Sequence, residues 1–434
     1  MSAYPRFLRI RQRLDDSQVG DVGREVHHAV LTSVPAQLHR IHRGERVAIA
    51  IGSRGISQIA VIARAVVQSV RELGGVPFII PAMGSHGGAT GEGQSAVLAS
   101  YGITGESMGC EIRSSMDTVV VGTTSADVNV HVDQQAMQAN HVIVVNRIKP
   151  HTRISGPYES GLIKMMLIGL GKHRGAAEYH RAMTRQRFDE IVAEAAPLVL
   201  AHAPILLGLA VVENAFDQVA HIEAIEADQL LNREPELLEM ARRRMPRLPF
   251  DDADLVILDR IGKNISGSGL DTNVLGRKLN DKVAGPMEWP KVRQIYVRGL
   301  TPETKGNASG IGIAEYCRSR VVREMDVDVT RINCLTALHI TAAAIPVHWE
   351  TDREVLQVAI DQSGRSIAEM RCVWIADTLH VGELLCSEAY VNEIEQRTDL
   401  EKVGDLAELK WDNDGNLQEC FASAGVLIRP IPET

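Results

Sequence analysis

The sequence has few aromatic residues and no long apolar run. Phe, Trp and Tyr make up 4% of the 434 residues, which is too few for a surface on which nucleic-acid bases stack. The formal net charge is -9 and no extended basic run is present, so nucleic-acid binding is not expected. No stretch approaches the length of a membrane span, and the N-terminus MSAYPRFLRIRQRL lacks the apolar core of a signal peptide. We therefore expect no membrane span and a cytoplasmic protein.

Paired cysteines are also absent. The sequence contains no Cys-x-x-Cys pair, and its cysteines stand singly at Cys110, Cys317, Cys334, Cys372, Cys386 and Cys420. This spacing predicts reduced, buried thiols and gives no support for a cysteine-ligated zinc or iron–sulfur site. With 45% hydrophobic and 23% charged residues, the composition is that of a globular protein long enough for two or three domains.

Strand-like and helix-like segments alternate in the first half of the chain. Residues 46–56 (RVAIAIGSRGI) predict a strand that ends in a loop, and residues 55–75 predict a helix with apolar residues every three or four positions. Residues 76–88 (VPFIIPAMGSHGG) predict a second strand that again ends in a loop. This order is typical of a parallel βαβ unit, and the nearly continuous apolar strands indicate a sheet buried on both faces.

A charged stretch divides the chain. Residues 232–252 end in Pro246 and Pro249 and are typical of a domain junction. We therefore predict an α/β protein with two α/β domains, mainly parallel sheets, and an active-site cleft between the domains. Residues 1–248 would form the cofactor-binding domain, and residues 249–434 would contribute loops on the substrate side.

Three loops at the predicted strand ends carry titratable residues among glycines and prolines. Arg54 follows the first strand, His86 lies in PAMGSHGGAT (81–90), and His151 follows Pro150. The carboxyl ends of parallel strands meet at one edge of a sheet, where α/β proteins bind their ligands. Arg54 could pair with a carboxylate or phosphate. Histidines at such an edge are suited to acid and base catalysis near neutral pH.

Lys164 stands in an apolar run, GLIKMMLIG. Desolvation there would favour a neutral, nucleophilic amine, while the alternative is a lysine whose charged end reaches solvent from a helix end. His180 lies sixteen positions later, which on one straight helix would put the two side chains about 160° apart. A break at Gly169 and Gly171 would let both face one site.

The stretch 146–180 resembles the nickel-pincer nucleotide-dependent lactate racemase family. The matching motifs are KPH at 149–151, SGLIK at 160–164, Gly169, His180, GSHGGAT at 84–90 and IGSR at 51–54. The resemblance covers roughly residues 45–280. It implies a racemase or epimerase that inverts the C2 carbon of a 2-hydroxy acid by hydride transfer to and from a bound cofactor.

Carried over residue by residue, the resemblance implies a role for each matching position. Lys164 would form a covalent bond to a nickel-pincer pyridinium mononucleotide, and His180 would ligate its nickel in a square-planar site. His86 and His151 would alternate as base and acid on the substrate hydroxyl. Arg54 would orient the substrate carboxylate or the cofactor. The other expected cofactor contacts are Ile51, Gly52, Ser53, Arg54 and Ile168.

The chain departs from the family pattern on the cofactor side. The aspartate of the family's Asp-x-x-Arg motif is Ile51 here, and a proline usually found four positions after the lysine is Ile168. The first change removes a polar contact to the nucleotide.

It departs on the substrate side as well. The segment LDTNVLGRKL (270–279) matches a family segment that supplies a glutamine and a lysine to the substrate. Here these two positions are Gly276 and Leu279. The adjacent Arg277 and Lys278 are candidate substrate residues. These changes predict a larger or differently charged 2-hydroxy acid, such as a sugar acid, in place of lactate.

Two other functions use the same residues. A divalent-metal hydrolase or lyase would take His86, His151 and His180 as ligands, but they lack the i,i+4 spacing and the nearby carboxylate of such sites. A metabolite-binding protein that lost the chemistry would not need these histidines together with Lys164. The expected partners are a small 2-hydroxy acid and the proteins that make the cofactor, without nucleic acid or membrane, and homo-oligomerisation is left open.

Overall fold

The structure is a computed structural model that describes residues 3–33, 41–52, 55–418 and 420–421. Its contacts divide the chain into two units, Asp15–Met245 and a second unit that joins Met1–Leu14 to Pro246–Thr434. Both units consist of helices packed on mainly parallel sheets, which confirms the predicted α/β class.

The described residues form these strands: β1 (Phe7–Gln12), β2 (Arg46–Ile51), β3 (Val76–Pro81), β4 (Glu111–Ile112), β5 (Thr118–Thr123), β6 (Asn129–Asp133), β7 (His141–Arg147), β8 (Ile205–Glu213), β9 (Val219–Glu226), β10 (Asp252–Leu258), β11 (Lys291–Val297), β12 (Tyr316–Arg318), β13 (Val347–Trp349), β14 (Cys372–Ile375), β15 (Glu383–Ser387) and β16 (Leu400–Lys402). The α-helices are α1 (Val22–Ser33), α2 (Ile59–Glu72), α3 (Gly91–Ser100), α4 (Gly105–Met108), α5 (Gln134–Met137), α6 (Leu162–Lys164), α7 (Lys172–Ala182), α8 (Phe188–His202), α9 (Leu230–Arg244), α10 (Thr272–Leu275), α11 (Ser319–Glu324), α12 (Val327–Thr336), α13 (Asp352–Ser363) and α14 (Val391–Glu395). Within the described ranges, no helix is both long and apolar enough to cross a bilayer.

The sheet of the unit Asp15–Met245 has the strand order β4-β3-β2-β7-β8-β9. Its neighbouring strands are parallel except for β8 and β9, which are antiparallel. Side chains alternate between its two faces. On β2, Ala48 and Ala50 pack into one apolar cluster, while Ile49 and Ile51 pack into another. Because β2, β3 and β7 run in the same direction, the loops that follow them leave from one edge of the sheet, as the sequence predicted.

The second sheet has the strand order β13-β12-β11-β10-β14-β15-β1-β16. Its first five strands are parallel, and the remaining three add antiparallel pairs. Strand β1 pairs with β15 and β16, so the first fourteen residues belong to this unit and not to the domain 1–248 to which the sequence analysis assigned them. The apolar pattern of a strand indicates its buried face but does not identify the strand with which it pairs, because pairing depends on distant parts of the chain.

Helix packing on β8 depends on a glycine. A Cβ on Gly208 would lie 2.6 Å from Cδ1 of Leu162 in α6 and 2.8 Å from Cδ2 of Leu230 in α9. The missing side chain lets both helices lie close to the sheet, and α6 is the helix that ends at Lys164.

We expect Gly208→Val to lower the melting temperature, because the added side chain overpacks this layer, at a cost of about 1–3 kcal/mol. Gly20→Val is the matched control, since no atom lies within 4 Å of a Cβ at Gly20. Differential scanning calorimetry measures both variants. Equal melting temperatures for the two would show that Gly208 is not a packing constraint.

Candidate active site

The loop after β3 packs against the turn that follows Lys164. The N–H of Gly84 donates to the carbonyl of Gly169 at 3.3 Å. Gly84 has a φ of +58°, a conformation that favours glycine, and a Cβ on Gly169 would lie 2.8 Å from the carbonyl oxygen of Ala82. Side chains at these two glycines would push the segments apart. The exposed His86 therefore stands on a loop that is held directly against this turn.

The helix that carries Lys164 is interrupted immediately after it. Helix α6 ends at Lys164, and Met165–Gly169 form a π-helical turn in which the N–H of Leu170 donates to the carbonyl of Met165 at 2.9 Å. The chain then changes direction, and α7 begins at Lys172, which has a φ of +53°. Such turns are frequent at functional sites. The predicted break between Lys164 and His180 is confirmed.

Lys164 and His180 lie close enough for their charges to interact. Both side chains are half-buried. Burial lowers the pKa of His180, and the positive charge of Lys164 lowers it further. The neutral imidazole is the form that binds a metal ion. The break thus brings an amine and a neutral imidazole to one site.

Gly52 and Ile168 lie at the same turn. A Cβ on Gly52 would lie 2.5 Å from Cε of Met165, and the side chain of Ile168 lies 3.3 Å from the position of a Cβ on Gly84. Ile51, in contrast, turns its side chain into the apolar cluster on the sheet face opposite to α6. Only its main chain is available at this edge. The other two expected contacts, Ser53 and Arg54, lie outside the described residues.

His151 lies on a loop that runs from β7 back to α6. The N–H of Lys149 donates to the carbonyl of Ser160 at 2.8 Å and closes this loop. The half-buried ring of His151 turns toward its own main chain, because its Nδ1 accepts hydrogen bonds from the N–H groups of Arg153 and Ile154, each at 3.0 Å. The ring orientation is therefore fixed by the loop.

The two expected substrate residues of the other unit are both buried. Arg277 has no exposed surface, and Lys278 is 9% exposed. The guanidinium of Arg277 donates to the carbonyls of Val292, Asp281 and Arg293 and to the carboxylate of Glu315. These bonds use its five N–H groups. Arg277 is therefore a structural residue, contrary to the expectation from the sequence, where a buried and an exposed arginine look alike.

A buried lysine that the sequence analysis did not select lies beneath the glycine-rich loop. Lys172 is fully buried, and its Nζ lies 2.8 Å from the carboxylate of the equally buried Asp133. The ammonium also donates to the carbonyl of Pro81, and Gln94 donates to the carbonyl of His86. Burial lowers the pKa of Lys172, although Asp133 acts in the opposite direction. The sequence signal was a lysine among glycines, GLGKHRG.

Helix α9 carries two further supports of the site. Glu234 is 1% exposed and accepts the N–H of Ile163 at 2.8 Å, and burial raises the pKa of this carboxyl to about 7. Arg242 donates to one carboxylate oxygen of Glu159 at 2.7 Å, and the other oxygen accepts the main-chain N–H of His151 at 2.7 Å. The composition of this charged stretch predicts a domain junction, because composition does not show which of the charges are buried.

Among the residues that the structure describes, no three His, Cys, Asp or Glu side chains come together as metal ligands would. His86, His151 and His180 therefore do not form a three-histidine metal site.

We expect Glu234→Gln to change how the melting temperature depends on pH. A carboxyl whose pKa rises from 4.5 to about 7 on folding stabilises the fold fully below pH 4.5 and loses that contribution as pH rises through its folded pKa. Glutamine keeps an acceptor for Ile163 and carries no charge. The variant should match the wild type in acid and melt at a higher temperature above neutral pH.

Glu239→Gln is the control for this comparison, because Glu239 lies on the same helix with a side chain that is 49% exposed. It removes a carboxylate from α9 without changing a buried one. A Glu234→Gln effect that is the same in acid and above neutral pH would contradict the raised pKa.

Residues on both sides of the π-helical turn are similar to those of a known protein family. Residues 9–190 match the family model for the lactate racemase N-terminal domain. The lactate racemase apoprotein from Thermoanaerobacterium thermosaccharolyticum aligns with 86% of this chain and 99% of its own, with a TM-score of 0.52 and 13% sequence identity, and so shares the fold. No curated protein matches the sequence. Residues 9–190 are thus similar to the N-terminal domain of lactate racemase, and the fold of a lactate racemase is shared along most of the chain.

Proposed function

We propose that the protein is a racemase or epimerase that inverts the C2 carbon of a 2-hydroxy acid, with a nickel-pincer pyridinium mononucleotide bound covalently through Lys164. The observation that carries this proposal is the π-helical turn at Met165–Gly169, which interrupts the helix between Lys164 and His180, both of them half-buried. The family match of residues 9–190 supports racemase chemistry. When bound, the cofactor supplies the acceptor and donor for the hydride of C2.

The residues present fit such a cofactor. A metal that takes most of its ligands from an organic cofactor needs few from the protein, and His180 offers one neutral nitrogen beside the amine of Lys164. The described part of the chain provides no cluster of three ligands that would hold a metal by itself. Glycines at 52, 84 and 169 keep the main chain close to this turn, where added side chains would collide with neighbouring atoms.

His86 and His151 are the groups that we assign to the substrate hydroxyl. Its proton has to leave when C2 becomes planar and has to return when the hydroxy acid is restored. Imidazole is suited to such proton exchange and hydrogen bonding near neutral pH. Both residues stand on loops that leave the edge of the sheet where β3 and β7 end.

The substrate is proposed to differ from lactate. Arg277 is occupied by structural hydrogen bonds, and the neighbouring Leu279 is apolar and 61% exposed. A larger or differently charged 2-hydroxy acid, such as a sugar acid, fits these changes better than lactate. The proteins that make the cofactor would be the partners needed for activity.

Intact-protein mass and metal analysis test the proposal, on protein produced together with the enzymes that make the cofactor. The wild type should carry an adduct of mononucleotide size and near-stoichiometric nickel, and Lys164→Ala should lose both. Lys149→Ala is the control, because Lys149 is a half-buried lysine of the same unit that forms an ion pair with Asp217 at 3.8 Å. It should keep both.

His180→Ala separates the two proposed attachments. Removal of the imidazole should leave the covalent adduct in place and lower the nickel content, because the tether and the metal ligand are different residues. A wild-type protein of unmodified mass that binds zinc or manganese would overturn the proposal and favour the hydrolase.

A further inference from the structure

Three arginines stand where two neighbouring strands of the second sheet end. Arg298 directly follows β11, Arg318 is the last residue of β12, and Arg320 lies two positions further on, in α11. Strands β11 and β12 are parallel and pair through Val297 and Cys317. Their carboxyl ends therefore lie side by side, at the edge where α/β sheets commonly bind ligands.

The first two arginines have acceptors within the protein. The guanidinium of Arg298, which is 4% exposed, donates to Asp352 at 2.8 Å and also to Asp259. Arg318 donates to the carbonyl of Glu350 at 3.0 Å, and its Nε lies 3.9 Å from the carboxylate of Asp352. Because Asp352 has no exposed side-chain surface, its charge is committed to these two arginines.

Arg320 differs from both, because most of its guanidinium has no partner. Its Nε donates to the carbonyl of Arg298 at 2.7 Å. In the part of the chain that the structure describes, its two amino groups, Nη1 and Nη2, have no hydrogen-bond acceptor, and no carboxylate lies within ion-pair distance. The residue is half-buried, and Nη2 lies 3.1 Å from the position of a Cβ on Gly299. The glycine lets this end of the guanidinium lie against the main chain.

The charges around Arg320 leave it short of negative charge. Burial lowers the pKa of its guanidinium, and the positive charges of Arg318 and Arg298 lower it further, while Asp352 and Glu324 act in the opposite direction with smaller effects. A half-buried cation beside two like charges gains free energy when an anion binds it. A guanidinium can bind both oxygens of a carboxylate or phosphate through parallel hydrogen bonds.

We propose that Arg320 is the centre of an oxyanion-binding site at the carboxyl edge of the second sheet. The ligand is a small carboxylate or a phosphate, which the two amino groups bind through parallel hydrogen bonds. Arg298 and Arg318 add positive charge to the site and keep their bonds within the protein. The site lies within one unit, and it depends neither on the cofactor nor on the residues of the proposed function.

Phenylglyoxal modification of the full chain, followed by peptide mapping with mass spectrometry, tests this proposal. The reagent attacks guanidinium groups that are not covered, so a bound oxyanion should slow the reaction of Arg320. Inorganic phosphate and malonate are the two probes, each compared with sodium chloride at equal ionic strength. At about ten times its dissociation constant, a probe should slow the modification about tenfold.

Arg323 is the internal control, because it lies on the same helix, is 61% exposed and pairs with Glu350 at 2.8 Å. Its reaction should not change. Protection of Arg320 by phosphate, by malonate or by both supports the site, and the comparison of the probes identifies the class of ligand. An Arg320 that neither probe protects at millimolar concentration, or equal slowing of both arginines, would refute the site.

Arg320→Gln and Arg323→Gln separate specific binding from a general effect of charge. Isothermal titration calorimetry with the protecting probe should show binding that Arg320→Gln weakens by about tenfold or more, because hydrogen bonds to a charged group are lost. Arg323→Gln should leave it unchanged. Equal effects of the two variants would overturn the role of Arg320. If Arg320→Gln does not fold, the protection measured on the wild type decides alone.

Discussion

The close approach of two main-chain segments at Gly84 and Gly169 is the constraint on which the candidate site depends. One segment carries His86, and the other is the π-helical turn that follows Lys164. Because neither glycine has a side chain, the loop can contact the turn directly. The π-helical turn interrupts the helix, and His180 lies close enough to Lys164 for their charges to interact. A continuous helix would have kept the two residues on nearly opposite faces.

Buried charge fixes the surroundings of this contact. Lys172 and Asp133 form an ion pair without exposed surface under the loop of His86, and α9 presents Glu234 to α6 and Arg242 to Glu159. Burying charges costs free energy, and a buried pair often adds little to stability over apolar residues of the same size. Here the buried charges form hydrogen bonds with the segments that carry His86, His151 and Lys164. We interpret these groups as residues that set geometry more than stability.

Much of this arrangement follows from local patterns in the sequence. Apolar runs followed by glycine-rich loops predicted the parallel α/β sheet, and the glycines around Gly169 predicted the break before His180. Local patterns could not supply distant partners. They did not show that β1 pairs with β15 or that Arg277 is enclosed by carbonyl groups. Nor did they show that Glu234 and Arg242, within a charged stretch, bond to Ile163 and Glu159. Each of these depends on a contact between residues far apart in the chain.

We propose that this fold offers one imidazole, and not a set of histidines, to the metal of a tethered cofactor. Nickel X-ray absorption spectroscopy of the loaded protein tests it most directly, because the spectrum reports the number of imidazole ligands. We expect a single imidazole, which disappears from the spectrum of His180→Ala. Two or more imidazole ligands, or an unchanged spectrum in that variant, would contradict it.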